Sequence, residues 1–560
     1  MSSVSRRNLL AGTAIGALSL GAAGAATAKP SPKDDYVVDV VVLGYGGAGA
    51  TTAIAAADAG ATVLIVERQP EGAVRSNTRM SGGYIHSPDK NGDRQALKSY
   101  FVGLFSGKFS EAIPVGEDPK ISERMAEYWT EYSPRLHDWI LSLDPQVRML
   151  KTGGGAQYKN FPGAKECAYA VYRTSYPDRV SNTVSTYNLP KEQATEGEAL
   201  FRTLENGVNA RKTQISILYG ARGESLITAP KGEVVGLIAE KDGHKVRIRA
   251  RKAVVLCSGG YEYNEAMRKA FLPGLGKSGW AFYGTPYNEG DGIRMGLDVG
   301  AGLTKAGACA ARMIWAPPVY YNGMRIGVTT VGVGFAHSMV VNSLGERFTN
   351  EALIMGGITN NMFYEKAGEQ SLKTLTYDNL PSWQIFDSRI FDTKTLANLT
   401  RSTVGYGFVD YGAADNSDAL KKGWIFKADS IEALAELIAK DPDNAGRMTA
   451  SALAQTVKDF NAACQAGVDE AFGRSKSTMK PVDQGPYYAI PLFAGGSNTK
   501  GGLSTDADKR VLDWFGRPIP GLFAVGEISC GLNRGGAMLT ECLVFGLVCG
   551  ERVAKLKSRT

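Results

Sequence analysis

Asp39-Val40-Val41-Val42-Leu43-Gly44-Tyr45-Gly46-Gly47-Ala48-Gly49, closed by Val63-Leu64-Ile65-Val66-Glu67, decides the fold class. An apolar strand runs straight into a glycine turn. A small-residue helix follows from Ala50 to Ala59, then a second apolar strand that ends in an acid. Gly44 allows the tight turn, Gly46 lets the backbone approach a pyrophosphate, and Gly49 lets helix and strand pack closely. Gly47 belongs to the same turn. The helix N-terminus offers unpaired N–H groups and partial positive charge to phosphates. Glu67 falls about 20 residues on, where an acid reaches a ribose hydroxyl, and Arg68 stands beside it. Strand, helix, strand and acid in register specify an α/β chain that binds a dinucleotide.

The two ends bound the rest. Ser5-Arg6-Arg7-Asn8-Leu9-Leu10 is a twin-arginine pattern. A Gly/Ala-rich apolar run follows, and Ala26-Thr27-Ala28 offers a cleavage site, so residues 1–28 read as a Tat signal. The run is too short and too weakly apolar for a membrane span. The expectation is a soluble protein, periplasmic or otherwise exported by the twin-arginine pathway, that takes up its cofactor before crossing. At 560 residues and 44% hydrophobic, the chain has room for two or more domains and a sizeable core. The net charge of +7 includes Arg6 and Arg7 and contains no basic run, so nucleic acid is excluded as a partner. Seven cysteines include no CxxC and no CxxCH, so no covalent haem is encoded. The four histidines lack metal-ligand spacing, and no metal site is expected.

Along the chain, Arg75 to Tyr84 carries Asn77, Thr78, Ser81, Gly82 and Gly83, a loop suited to lie under a flat cofactor. Met125, Trp129, Leu136, Trp139 and Ile140 recur at helical spacing and read as core. Residues 213–255 read as a β-meander of short strands. Ala253 to Cys257 is a strand that turns at Ser258-Gly259-Gly260, and Gly290-Asp291-Gly292 opens a helix. Gly521 to Glu527 is a late strand, with Pro518 and Pro520 marking a turn before it. Asn533-Arg534-Gly535-Gly536 leads into a helix from about Ala537 to Lys557. Between 307 and 488 the glycine-turn strands stop, and aromatic clusters and an amphipathic helix (Ser430 to Lys440) take over. This stretch reads as a domain inserted into the first.

These landmarks, with Arg347-Phe348-Thr349-Asn350-Glu351, Thr499-Lys500-Gly501-Gly502 and Val525-Gly526-Glu527, stand in the order seen in one flavoprotein family. The chain resembles the fumarate reductases, succinate dehydrogenases and 3-ketosteroid dehydrogenases. The resemblance implies FAD in a Rossmann-like domain (29–306 and 489–560) under an inserted α+β cap (307–488). It adds Ser258, Gly259, Gly260, Asp291, Gly526, Glu527, Gly535 and Gly536 to the FAD contacts. It implies hydride transfer between flavin N5 and a carbon, interconverting CH–CH and C=C beside a carbonyl or carboxylate. A helix starting near Gly536 would direct N–H groups at the flavin N1 side and stabilise negative charge there. Asn77 stands where succinate dehydrogenases carry the flavin-linked histidine, so FAD is expected to be non-covalent.

The chain departs from the family at its chemistry. Met355 falls where fumarate reductases place the proton-delivering arginine, and Asn498 replaces the family histidine. Leu532 falls where steroid dehydrogenases carry a catalytic tyrosine. The candidates for acid/base work are then Tyr487, Tyr488 and Tyr321, with Arg534 or Asn498 polarising a carbonyl or carboxylate. His86 and His337 are alternatives, and Arg347 with Glu351 reads as fixing the cap loop. Electrons pass to or from a separate carrier, such as a cytochrome or a quinone-linked protein. The competing readings are a dehydrogenase of an alicyclic or steroid-like ketone, an enoate reductase, and a flavoprotein that only carries electrons.

Overall fold

The computed structural model describes residues 33–106, 119–156, 159, 161–179, 190–272, 280–309, 312–328, 336–355, 359–394, 396, 406–408, 416–529 and 537–559. The twin-arginine leader, Arg534, Gly535 and Gly536 lie outside them, as does the side chain of Met355.

Val40, Val41 and Val42 are fully buried, as a continuous β-branched run must be when both faces of a parallel sheet are covered. Five parallel strands lie in the order Pro518–Ala524, His244–Leu256, Tyr36–Leu43, Val63–Glu67 and Ile215–Tyr219. Val41 pairs with Leu64 on one side and Val254 on the other. The chain therefore leaves Tyr36–Leu43 in one direction and returns to its other flank much later. That switch point, at the carboxyl ends of the strands, is where open α/β sheets bind ligands. The helix Gly47–Asp58 covers one face and is packed by the C-terminal helix Met538–Lys555. The approach is close because Gly546 and Gly550 face Thr51 and Ala55.

Residues 213–255 differ from the expected meander. Ile215–Tyr219 is a parallel strand of the main sheet. Only Ala221–Thr228, Val234–Lys241 and His244–Leu256 form antiparallel pairs. The last of these is one 13-residue strand rather than two. Its middle, Arg247 to Arg251, alternates in burial and its last four residues are buried, so its pattern changes along the strand without a break. Pro518 and Pro520 lie inside the late strand, not before it. Pairing with His244–Leu256 begins at Leu522, so the missing N–H groups cost no bond in that ladder.

A second, six-stranded sheet forms around Tyr487–Gly496. Ser382–Asp387, Phe426–Ala428 and Arg312–Trp315 pair with it antiparallel, and Trp280–Phe282 pairs parallel. Its central strand runs straight through residue 488, and Trp280–Phe282 joins from ahead of residue 307. The amphipathic helix spans Ile431–Ala439, capped by Ser430 accepting from the Ala433 N–H at 3.1 Å. Met125, Trp129, Leu136 and Ile140 are buried core on the helices Pro119–Tyr132 and Leu136–Leu143. Among the described residues no helix is long and apolar enough to cross a membrane.

Candidate active site

A cavity of about 470 Å³ opens at the switch point. Gly44 turns the chain there with φ +104°, and a Cβ on it would lie 2.5 Å from the Cys257 carbonyl oxygen. A Cβ on Gly49 would strike the Gly44 carbonyl. Gly46 is different. It lines the cavity, and an added Cβ would meet no protein atom nearer than 3.7 Å. Space for a ligand, rather than protein packing, keeps this residue bare. Gly46 caps the helix Gly47–Asp58 with no side-chain bond, so the positive end of the helix dipole is open to the cavity. Gly47 donates its N–H to Thr78 Oγ1 at 2.9 Å, which ties the turn to the Asn77–Met80 segment.

Glu67 is buried and accepts from the N–H groups of Tyr45 (2.8 Å) and Gln69 (2.9 Å). Its carboxyl is pushed above the ordinary carboxylate range by burial. It thus pins the glycine turn while also lining the cavity. At that end Arg68 donates to the Tyr287 carbonyl and to Glu289, both at 2.9 Å, and Arg222 bonds Asp291 at 2.9 Å. Ser258 Oγ and Thr285 Oγ1 are buried on the wall without a hydrogen-bond partner among the described residues. Ser81, Gly82, Gly83 and Gly259 complete this part of the lining. Gly260 and Gly526 stand behind it. A Cβ on Gly526 would lie 3.0 Å from Ala48 Cβ, so its bareness serves packing on the first helix.

Deeper in, Asn77 Nδ2 donates to Glu262 (2.9 Å) and Glu527 (3.0 Å), and its Oδ1 accepts from the Thr285 N–H at 2.6 Å. The Asn77 amide is thus fully engaged. The C-terminal helix starts at Met538 with no side-chain cap, and Met538 and Leu539 form wall. Tyr283, Arg312 and Asn498 reach the cavity from the second sheet's strands or from the residues just past their ends. Tyr84, at the start of Tyr84–His86, and Lys500, in Thr499–Leu503, line the cavity as well. Arg312 begins the strand Arg312–Trp315 opposite Gly495, and Asn498 and Lys500 follow the end of the central strand. No hydrogen bond or ion pair joins the Arg312 side chain to another described residue. Arg173 donates to the Tyr84 phenol oxygen and lies over its ring at 3.9 Å.

Of the residues singled out for acid/base work, Asn498 lines the cavity and three tyrosines do not. Tyr488 is stacked between Phe386 (5.6 Å) and Phe391 (4.3 Å) in the second sheet's core. Tyr487 starts the ten-residue strand whose far end reaches the cavity, roughly 30 Å along at the usual rise per residue. Tyr321 packs on Phe408, which in turn packs on Tyr287 at the cavity rim. His86 is buried beside Tyr169, and His337 Nδ1 faces the Pro481 carbonyl at 2.7 Å. Arg347 and Glu351 lock together at 2.5 and 2.9 Å and share Asp469 and Arg474, a buried structural network. Arg312 was missed, and Tyr84 and Tyr283 were not singled out for acid/base work. A lone arginine inside the apolar run Ala310-Ala311-Arg312-Met313-Ile314-Trp315 was the available signal.

A protein-family profile described as an FAD binding domain matches residues 39–539. The chain belongs to this family. FAD is its cofactor, and it is an FAD-dependent oxidoreductase. It is 26% identical to 4-oxocyclohex-2-ene-1-carboxylate 5-dehydrogenase of Sinomonas cyclohexanicum, over 93% of this chain and 94% of that one. It is 27% identical to a probable fumarate reductase of Shewanella frigidimarina, over 92% of this chain and 74% of that protein. The fold matches 3-ketosteroid Δ1-dehydrogenase from Sterolibacterium denitrificans with a TM-score of 0.73 at 22% identity, covering 92% and 99% of the two chains. The cavity fits the family cofactor. Bare Gly46, the uncapped helix and the orphaned hydroxyls of Ser258 and Thr285 suit a pyrophosphate and its sugars, and Arg68 and Asp291 bound the same end.

Proposed function

We propose that this chain is an exported oxidoreductase acting on CH–CH groups beside a carbonyl or carboxylate, and that its substrate is a small anion anchored by Arg312. The observation that carries the reading is Arg312 itself. It is a guanidinium on the wall of the cavity without a carboxylate partner among the described residues, and Lys500 and Asn498 line the same cavity. A guanidinium offers a rigid fork of donors matched to a carboxylate. One such fork, with an ammonium beside it, favours a substrate with a single carboxylate over a dicarboxylate. The similarity to an enzyme named for a cyclic oxo-carboxylate supports the same substrate class.

Bound FAD supplies two-electron chemistry, accepting or giving a hydride. The chain supplies the rest. Arg312 and Lys500 hold the anionic end and fix which carbon faces the cofactor. Asn498 offers an amide to polarise a carbonyl; its own Nδ2 rests on the Thr499 carbonyl at 2.6 Å. Tyr84, whose phenol oxygen accepts from Arg173, holds or moves the proton at the neighbouring carbon. The twin-arginine leader supports export, and a separate cytochrome or quinone-linked carrier takes or supplies the electrons.

An anaerobic screen tests the reading. Cyclic oxo-carboxylates should bleach the flavin of the oxidised holoenzyme, whereas the matching esters should not. Bleaching by neutral steroid ketones alone would favour the steroid-like alternative. Reoxidation of the reduced enzyme by enoates alone would make it a reductase.

A further inference from the structure

Glu262 follows the Gly259-Gly260 turn, and Glu527 follows Gly526 at the end of the late strand. Both side chains are buried, and only Glu527 reaches the cavity wall. Glu262 Oε1 and Glu527 Oε2 sit between the same two amide nitrogens. Asn77 Nδ2 donates to them at 2.9 and 3.1 Å, and Asn288 Nδ2 at 2.7 and 3.0 Å. Thr499 Oγ1 donates to the other Glu262 oxygen at 3.0 Å. Every one of these donors is neutral. The charged and titratable groups that bear on Glu262 include Arg268 and Tyr261. Arg268 donates to the Trp280 carbonyl at 2.7 Å, and the Tyr261 phenol bonds the Ala306 carbonyl. Lys500 lies one residue past Thr499, on the cavity wall. No ion pair joins either carboxylate to a described residue. Two carboxylates that share donors in a buried place, with no cation in contact, cannot both stay ionised without a large penalty.

We propose that Glu262 and Glu527 form a carboxyl dyad that shares one proton, and that the dyad takes up a second proton from solvent when bound FAD is reduced. Uptake forms one O–H bond on a carboxylate oxygen. The electron pair comes from the reductant and stays with the cofactor, so the added negative charge is offset within the cavity wall. Burial raises both carboxyls, and for Glu527 the charge of Glu262 adds to it. The two titrate as a unit, so the protonation steps belong to the pair. Both are positioning residues. They act on the charge around the cofactor, whichever substrate the enzyme takes.

The test is a redox titration of bound FAD at a series of pH values, in the wild-type holoenzyme and in Glu262→Gln and Glu527→Gln. The wild type should show a pH range in which the potential falls more steeply, marking one extra proton per electron pair, and each variant should lose that range. An infrared difference spectrum on reduction, in light and heavy water, should show a carboxylic-acid band gained in the wild type and absent from both variants. Equal proton counts in all three proteins would overturn the proposal. So would a wild-type spectrum with no carboxyl change, which decides the matter even where a variant loses FAD. A merely structural role would lower the melting temperature and leave the proton count alone.

Discussion

Arg173 lies 3.9 Å above the ring of Tyr84 and donates to its phenol oxygen, while its other terminal nitrogen holds Glu196 at 2.6 Å. The arginine is thus fixed from behind and presents a permanent positive charge to a phenol on the cavity wall. Tyr84→Phe should keep FAD and lower kcat by roughly 10²–10⁴-fold, the span of a positioned acid/base group. Arg173→Gln, which takes the guanidinium off the phenol, should keep FAD and only part of that activity. Rapid-reaction flavin reduction across pH measures both. An unaltered rate in Tyr84→Phe would remove this phenol from the reaction.

Arg312 makes a separate prediction. A charge-assisted hydrogen bond is worth about 1.5–3 kcal/mol, so Arg312→Gln should raise KM for carboxylate substrates by roughly ten- to hundredfold. Flavin spectrum and melting temperature should hardly change, since the Arg312 side chain has no hydrogen bond or ion pair with another described residue. Neutral analogues should react alike with both proteins. Steady-state kinetics on an acid and its methyl ester give the comparison.

Why the cofactor end could be read from the sequence and the substrate end could not follows from these same residues. Gly44, Gly46 and Gly49 are fixed by backbone geometry within one local unit, and local geometry leaves a fixed spacing. Asn77 and Glu527 meet across 450 positions. Their roles came from a family pattern, while the dyad they help to form came only from the fold. Arg312, Lys500 and Tyr84 come from three distant segments, and the local signals they carry (a lone arginine in an apolar run, a glycine-pair motif, the end of a loop) do not say that they line one cavity. The tyrosines at 487 and 488 drew notice because they stood near an inferred seam. The strand that carries them points their far end, Ser497 and Asn498, into the cavity instead. Arg534, Gly535 and Gly536 remain an expectation from the motif alone.

Packing of the nucleotide helix gives a stability prediction. A Cβ on Gly550 would lie 2.5 Å from the Thr52 carbonyl oxygen and 2.6 Å from Ala55 Cβ. Both belong to Gly47–Asp58, whose N-terminus faces the cofactor. Gly550→Ala must push the two helices apart, at a cost of about 1–3 kcal/mol. Gly368→Ala, whose Cβ would meet only the Tyr364 and Glu365 carbonyls at 3.5 Å, should stay within about 0.5 kcal/mol of wild type. Thermal melts of the holoenzyme decide this. Equal melting temperatures for the two variants would show that the helix pair can relax freely.

His86 sets an acid limb. Its ring is fully buried, packs edge-on against Tyr169 at 5.0 Å, and leaves Nδ1 without a partner among the described residues. Burial alone lowers its pKa from 6.5 to about 4. Between those values the unfolded chain binds a proton that the folded protein refuses, so stability falls as pH drops through that window. Above it both states hold a neutral ring and His86 contributes nothing. The full loss is about 3 kcal/mol, reached once pH is below the folded pKa. Glu67, whose carboxyl is raised by burial, works in the opposite direction: the folded state holds its proton more tightly, so it gains stability toward acid. Comparing wild type with His86→Gln cancels that contribution. The variant's melting temperature should decline less steeply from neutral pH toward pH 4. Parallel curves would mean that the imidazole is protonated in the folded protein, with its charge met by a group that opens to it only in acid.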